Sequence, residues 1–250
     1  MFGHAGAKVL VFPTRDGRFF EYEQLGLVAS LADKLGAGHL QLYCIEGLAA
    51  ETFYGFHRHP AERIRRHGAL EDYILNEVLP LMAAKNSHGC TIVHGCSLGA
   101  FQAASLFFRH PHLFRKLVAF SGRYDLTMRV ESFGDLFDGY YDDSVYFHMP
   151  THFLPGLGGD WRLDRLRESD IISPLAMPTL SSTITAISAG CSRTRMSAIS
   201  YMSGMDAPTA PAHGGRWRRF ISDTLGTLSR PMQRCGRYRR IPERDLLVGQ

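Results

Sequence analysis

Residues 91–100, TIVHGCSLGA, decide the fold of this chain. An apolar, β-branched run leads into the pattern Gly-x-Ser-x-Gly at Gly95, Ser97 and Gly99, and small and aromatic residues at helical spacing follow it. A strand, a sharp turn and a helix are the context in which this pattern forms a nucleophile elbow. Glycines are required there because the backbone crosses itself closely. An ordinary strand-to-helix turn is the alternative interpretation.

An elbow would make Ser97 a candidate nucleophile at the end of a strand. The backbone N–H of Leu98 would lie at the start of the following helix, where it can donate to an oxyanion with support from the helix dipole. The stretch therefore predicts both a fold and a chemistry.

Length and composition favour one domain with a sizeable core, since the chain has 250 residues of which 45% are hydrophobic. No run of about 18 apolar residues occurs, so no membrane span is expected. The N-terminus lacks the charged-then-apolar order of a signal peptide. The cysteines are odd in number and have no metal-ligand spacing, which favours free thiols and a cytoplasmic location. They are Cys44, Cys90, Cys96, Cys191 and Cys235.

Strand and helix patterns alternate along the first 172 residues. Apolar runs at 8–13, 40–45, 91–94 and 116–120 predict buried strands, and 170–172 predicts the start of another. Helical periods run from Glu23 to Leu35 and from Pro60 to about Lys85, the second with Arg63, Arg65 and Arg66 on its solvent side. This alternation predicts a parallel sheet flanked by helices, with ligands at the carboxyl ends of the strands.

Two segments are harder to interpret. Residues 123–160 are rich in aromatic and acidic side chains, which either cover a substrate or, as we favour, pack against the sheet. Residues 173–250 hold 11 arginines, no lysine and 4 acids, whereas residues 1–172 hold 17 basic and 20 acidic residues. Arginines can bind nucleic acid, but no recognition motif accompanies them, so we expect a solvated tail and no nucleic-acid partner.

Residues 8–172 resemble the esterase family of α/β-hydrolases that includes esterase D-like enzymes and polyhydroxybutyrate depolymerase-like proteins. The elbow at 95–99 carries the resemblance, together with Phe12-Pro13-Thr14, the segments 46–54 and 119–125, and the segment 141–150. Esterase D-like enzymes usually have Gly-His where this chain has Ala100-Phe101. The resemblance implies a three-layer α/β fold with Ser97 as nucleophile and a second oxyanion donor near Thr14 or Arg15.

The family also places an acid just after the strand that begins near Asp170, and a histidine about 35–40 residues later. This chain departs from that pattern, because no carboxylate follows Asp170 until Asp206, and His213 is the one later histidine. His213 is the candidate base, and Asp206 and Asp125 are both candidates for the acid that would orient it. Asp125 follows the strand after the elbow helix, a position from which some α/β-hydrolases supply the acid.

The change in composition at 173 has two interpretations. A shifted reading frame in a GC-rich gene would produce such a sequence, and the chain would then lack its genuine acid and histidine. A divergent C-terminal region is the other. We accordingly divide the chain into an α/β-hydrolase core, 1–172, and a divergent or poorly ordered region, 173–250.

These observations lead to three functional hypotheses. The first is a hydrolase that cleaves a small-molecule or polymer carboxylic ester through an acyl-enzyme, without cofactor or metal. An acyltransferase using the same serine is the second. The third is a hydrolase-fold protein without activity, because its triad partners are missing. The oligomeric state is left open.

Overall fold

A computed structural model describes residues 1–129, 133–159, 161–172, 221 and 223–225. Its centre is a five-stranded sheet in the order β2-β1-β3-β4-β5, and all neighbouring strands are parallel. The strands are β1 (Ala7–Phe12), β2 (Leu40–Cys44), β3 (Thr91–Cys96), β4 (Lys116–Phe120) and β5 (Asp170–Ile172). The strands predicted from the apolar runs are therefore confirmed.

The sheet is buried on both faces, as its continuous apolar strands require. Side chains alternate along each strand, so Leu10 and Val93 pack on one face and Val9 and Ile92 pack on the other. Two separate hydrophobic clusters result, one on each side of the sheet. The architecture is a three-layer α/β fold, as predicted.

Helices cover both faces. They are α1 (Glu21–Gln24), α2 (Leu27–Ser30), α3 (Ala32–Gly36), α4 (Pro60–Tyr73), α5 (Leu79–Lys85), α6 (Leu98–Arg109), α7 (Asp143–His148), α8 (Pro150–Phe153) and α9 (Trp161–Arg167). A π-helical segment, Ile74–Val78, joins α4 to α5, and a 3₁₀ turn, Leu154–Gly156, follows α8. Among the described helices, none is long and apolar enough to cross a membrane.

Two helix predictions need correction. The single helix expected over Glu23 to Leu35 is three short helices, because Gly26 adopts a left-handed conformation with φ 69° and interrupts the first. The helix from Pro60 to Lys85 is confirmed but changes register before Pro80, whose missing N–H cannot complete the α-helical ladder.

Arg63 was expected on the solvent side of α4, and that prediction is wrong. Its side chain is 1% exposed and donates hydrogen bonds to the carbonyl oxygens of Phe53 and Leu136, at 3.2 and 2.6 Å, and to the carboxylate of Asp138 at 2.5 Å. The guanidinium can be buried because its charge is paired and both of its terminal nitrogens donate hydrogen bonds, although its Nε has no partner.

The aromatic segment after β4 packs against the core, as we favoured. Phe137 and Met149 are fully buried in one cluster with Phe53 and Phe101. One of its acids, Asp142, caps α7 by accepting a hydrogen bond from the N–H of Val145 at 2.9 Å. Exposed aromatic rings of this segment are Phe133, Tyr141 and Phe147.

Few residues beyond 172 belong to the described part of the chain. Of these, Ile221 and Leu225 are buried in the same cluster as Val9 and Ile92. His213, Asp206 and most of the basic tail lie outside the described residues. The proposed division at 172 therefore stays a prediction.

Candidate active site

Ser97 stands at the junction of β3 and α6 in a strained conformation. Its backbone has φ 56° and ψ −120°, outside the regions that non-glycine residues favour. Its N–H donates a hydrogen bond to the carbonyl of Phe120, at the end of the neighbouring strand, across 2.9 Å. The residue is partly exposed although Cys96 and Leu98 beside it are buried. The chain thus presents this serine at the carboxyl edge of the sheet.

The glycines on each side make this turn possible. A Cβ on Gly95 would lie 2.2 Å from the backbone of Gly99, and a Cβ on Gly99 would lie 2.4 Å from the carbonyl oxygen of Pro13. Real Cβ atoms do not approach backbone so closely, so the close crossing requires glycine at both positions. The second contact also brings the loop after β1 against the first turn of α6.

The loop after β1 carries the other expected oxyanion donors. The N–H of Thr14 donates to Oε2 of Glu21 across 2.9 Å, and the Thr14 hydroxyl donates to the other oxygen of that carboxylate. Arg15 pairs with Asp16 at 2.7 Å, and its guanidinium lies over the ring of Tyr54. Thr14 is therefore placed beside the elbow, but its N–H is engaged by a carboxylate.

The N–H groups of Ala100 and Phe101 donate to the carbonyl of Ser97, whereas the N–H of Leu98, the first residue of α6, has no carbonyl of its own helix to bind. Anionic oxygens are favoured at that position. The sequence predicted Leu98 and Thr14 as oxyanion donors but gave no indication of Glu21. An acid at the start of a helix is common on protein surfaces, and nothing in its spacing indicates that it binds the Thr14 N–H.

Asp125 forms a hydrogen-bonded group with residues that sequence reasoning did not single out. Its Oδ2 lies 2.8 Å from Nε2 of His152, and its Oδ1 accepts from the N–H and hydroxyl of Thr127 at 2.9 and 2.6 Å. The other ring nitrogen of His152 lies 2.9 Å from the hydroxyl of Tyr141. Burial raises the pKa of Asp125, but the hydrogen bonds from Thr127 and His152 outweigh it and the net pKa is lowered.

No side chain in the described part of the chain hydrogen-bonds the hydroxyl of Ser97. His94, just before the elbow, is not available as a base, because one ring nitrogen donates to the carbonyl of Val118 at 2.6 Å and the other binds the hydroxyl of Tyr22. Burial lowers the pKa of His94 to about 4. It is a packed histidine.

The thiol of Cys96, next to the candidate nucleophile, is not reactive. It is buried, and burial raises its pKa to about 12. A cleft of about 390 Å³ opens beyond the end of β2, where Glu46 and Tyr73 are among the lining residues. Ser97 is not part of its lining.

Comparison with known proteins identifies the fold, through solved structures and not through sequence. No family model matches the chain, and no curated protein sequence matches it. A ferulic acid esterase structure is similar over 91% of this chain and 85% of its own, with a TM-score of 0.58 and 13% identity. The chain has the α/β-hydrolase fold.

Two further solved structures have the same fold. Staphylococcus aureus FphF, described as a fluorophosphonate-binding serine hydrolase, covers 92% of this chain and 86% of its own, with a TM-score of 0.55 and 11% identity. Mycobacterium tuberculosis MPT51 (FbpC1) covers 92% and 90%, with a TM-score of 0.54 and 13% identity. At these identities the likeness establishes the fold alone.

Proposed function

We propose that this chain hydrolyses carboxylic esters through an acyl-enzyme formed on Ser97. The observation that carries the proposal is the backbone of Ser97, whose φ of 56° and ψ of −120° expose a serine at the start of α6. Strain of this kind is maintained where it has a function. The names of the fold neighbours, an esterase and a serine hydrolase, agree with this assignment.

The mechanism follows from the placement of the serine. Oγ of Ser97 attacks the ester carbonyl carbon, and its proton passes to a histidine. The N–H of Leu98 stabilises the oxyanion of the tetrahedral intermediate. That intermediate collapses as the alcohol takes the proton from the histidine and leaves. Water then attacks the acyl-serine, regenerating Ser97 and releasing the acid.

The base in this proposal is His213, with Asp206 as its orienting acid; Asp125 is the alternative acid. His213 fits the chain order of α/β-hydrolases, in which the histidine follows the serine and the acid. Asp125 already binds His152, which makes His152 the competing base if its hydrogen bond to Tyr141 is released. The second oxyanion donor is the N–H of Thr14 or Arg15, and using Thr14 requires Glu21 to move away.

The substrate class is a small-molecule or polymer ester, and the same acyl-enzyme could pass its acyl group to an alcohol instead of water. The cytoplasm is the proposed location. Cys44, Cys90 and Cys96, the cysteines in the described part of the chain, form no disulfide there, which suits a reducing compartment.

A second candidate is a hydrolase-fold protein without catalytic activity. One observation favours it: within the described residues, the Ser97 hydroxyl has no imidazole partner. Loss of the histidine or acid of a triad lowers kcat by about 10⁴ or more. The two candidates differ in whether Ser97 becomes acylated, and this can be measured.

Turnover of p-nitrophenyl acetate by the full-length protein tests the proposal. The wild type should release p-nitrophenol with a burst of about one equivalent per chain followed by slower turnover, and Ser97→Ala should abolish both. Equal rates for the two proteins would favour the inactive alternative.

A further inference from the structure

Three buried side chains meet between α4 and α7, in a group that contains no residue of the elbow. His67 and Glu71 are four residues apart on α4 and therefore share a face. His148, the last residue of α7, lies against them. One potential ligand atom from each of the three lies within 4.8 Å of the other two, and Oε2 of Glu71 is 3.7 Å from Nε2 of His148.

His67 is buried in this group without any hydrogen bond to its ring. Its side chain is 4% exposed, and neither ring nitrogen has a hydrogen-bond partner. Its neighbours are the rings of Phe53, at 4.5 Å between centroids, Phe101 and His148. A buried polar group without a hydrogen-bond partner is destabilising. Neither nitrogen is used by the protein itself, so the ring can offer a lone pair to a bound ion.

His148 is oriented as a metal ligand would be. Its Nδ1 donates a hydrogen bond to the carbonyl of Ser144 across 2.6 Å, which fixes the tautomer and leaves the lone pair on Nε2. That nitrogen is buried without a hydrogen bond and points toward Glu71. Ligand histidines in metal sites are held by the same kind of bond from the opposite ring nitrogen.

Glu71 is also held in place, by hydrogen bonds to one of its two carboxylate oxygens. Its Oε1 accepts hydrogen bonds from Nε of Arg109 at 2.9 Å and from Nε2 of His110 at 2.8 Å, and its Oε2 faces the buried imidazoles. Because the hydrogen bonds from Arg109 and His110 hold Oε1, Oε2 is the oxygen that can bind a cation.

We propose that His67, Glu71 and His148 bind a divalent transition-metal ion, with Zn²⁺ as the best match to two imidazoles and one carboxylate. Zinc–ligand bonds of about 2.0–2.2 Å place tetrahedral ligand atoms roughly 3.3 Å apart. The Glu71–His148 separation of 3.7 Å is already close to that value, and the other separations, which are at most 4.8 Å, would shorten through side-chain rotation on binding.

The ion would tie α4 to α7. The next helix, α8, carries His152, so the tie would also steady the segment that holds Asp125 and His152 together. No metal was expected from the sequence. The His67–Glu71 spacing is visible there, but His148 is far away along the chain and only the fold adds it.

Zinc binding to the full-length protein tests the inference. The protein is treated with a chelator, dialysed and titrated with ZnCl₂ against a chromophoric competitor. His67→Leu is the key variant, because leucine has nearly the volume of histidine and removes both unpartnered nitrogens. His39→Gln, at an exposed histidine, is the matched control.

The wild type and His39→Gln should each bind zinc at a site that His67→Leu weakens by more than about 100-fold. Cobalt(II) bound there should give the absorption bands of tetrahedral geometry, and these should disappear in His67→Leu and in His148→Gln. The chelated His67→Leu protein should melt at or above the wild-type temperature. Equal zinc affinity in the wild type, His39→Gln and His67→Leu would overturn the inference, as would a wild type that binds no zinc. In those cases the three side chains have a purely structural role.

Discussion

Nε2 of His152 donates a hydrogen bond to Oδ2 of Asp125 across 2.8 Å, while Nδ1 of the same ring accepts one from the hydroxyl of Tyr141 at 2.9 Å. Both ring nitrogens of His152 are thus engaged, and neither hydrogen-bonds a serine. The pair joins the loop after β4 to α8, and His152 would have to release Tyr141 before it could serve as the base for Ser97. The two candidate bases, His152 and His213, can therefore be distinguished by mutation.

His213→Gln should lower kcat for p-nitrophenyl acetate by about 10⁴ or more, because serine is a poor nucleophile without a base. His152→Gln should lower it by less than about tenfold, since glutamine can still donate to Asp125. Steady-state kinetics of the two purified variants decide the matter. The reverse order would assign the base to His152 and the acid to Asp125.

Releasing the N–H of Thr14 should increase activity. Glu21→Ala removes the carboxylate that binds this N–H at 2.9 Å, so the group becomes available to an oxyanion. One oxyanion donor contributes about 10²–10³ in kcat. We expect a rise of at least several-fold, which is smaller than this full contribution because the loop after β1 also becomes more mobile without Glu21. Glu23→Ala, at an exposed acid on the same helix, is the control. A fall in kcat that is specific to Glu21→Ala would remove Thr14 from the proposed oxyanion hole.

The close crossing at the elbow predicts opposite effects for two identical substitutions. Gly99→Ala places a Cβ 2.4 Å from the Pro13 carbonyl oxygen and should lower the free energy of unfolding by about 1–3 kcal/mol. Gly68→Ala, within α4, meets nothing within 4 Å and should raise it by about 0.5–1 kcal/mol. Urea unfolding followed by circular dichroism measures both. Equal stability of the two variants would contradict the elbow geometry.

Buried histidine should make the fold sensitive to mild acid. The pKa of His94 is about 4 in the folded chain and about 6.5 when unfolded, so between these values the unfolded chain binds a proton that the folded chain does not. The free energy of unfolding therefore falls as pH drops from 7 to 5, by about 1–2 kcal/mol for this residue. His94→Gln should lose that part of the pH dependence. Parallel pH profiles for the two proteins would show that His94 does not titrate as described.

The sequence was sufficient for the sheet and for the tight turn from β3 into α6, because both depend on local signals. Apolar runs marked the strands, and two glycines around Ser97 marked the close crossing that the structure contains. The break at Gly26 was less visible, since the apolar period continues through it and only the left-handed backbone interrupts the helix.

Contacts between distant segments could not be predicted in the same way. Arg63 looked solvent-facing because arginine usually is, and its burial depends on carbonyl groups that the fold brings from 53 and 136. The Asp125–His152 and Glu71–His148 pairs likewise join separate elements. For the composition change after 172, translating the other reading frames would show whether a strand, an acid and a histidine were lost.

Labelling of Ser97 tests the central claim most directly. The full-length protein is incubated with a fluorophosphonate probe, and the modified peptide is identified by mass spectrometry. Ser97→Ala serves as the test variant, and Ser121→Gly, at the end of β4 where φ is 52°, as the control. We expect one label per chain on Ser97 in the wild type and in Ser121→Gly, and none in Ser97→Ala. A folded wild type that takes up no label, or a label that persists in Ser97→Ala, would contradict it.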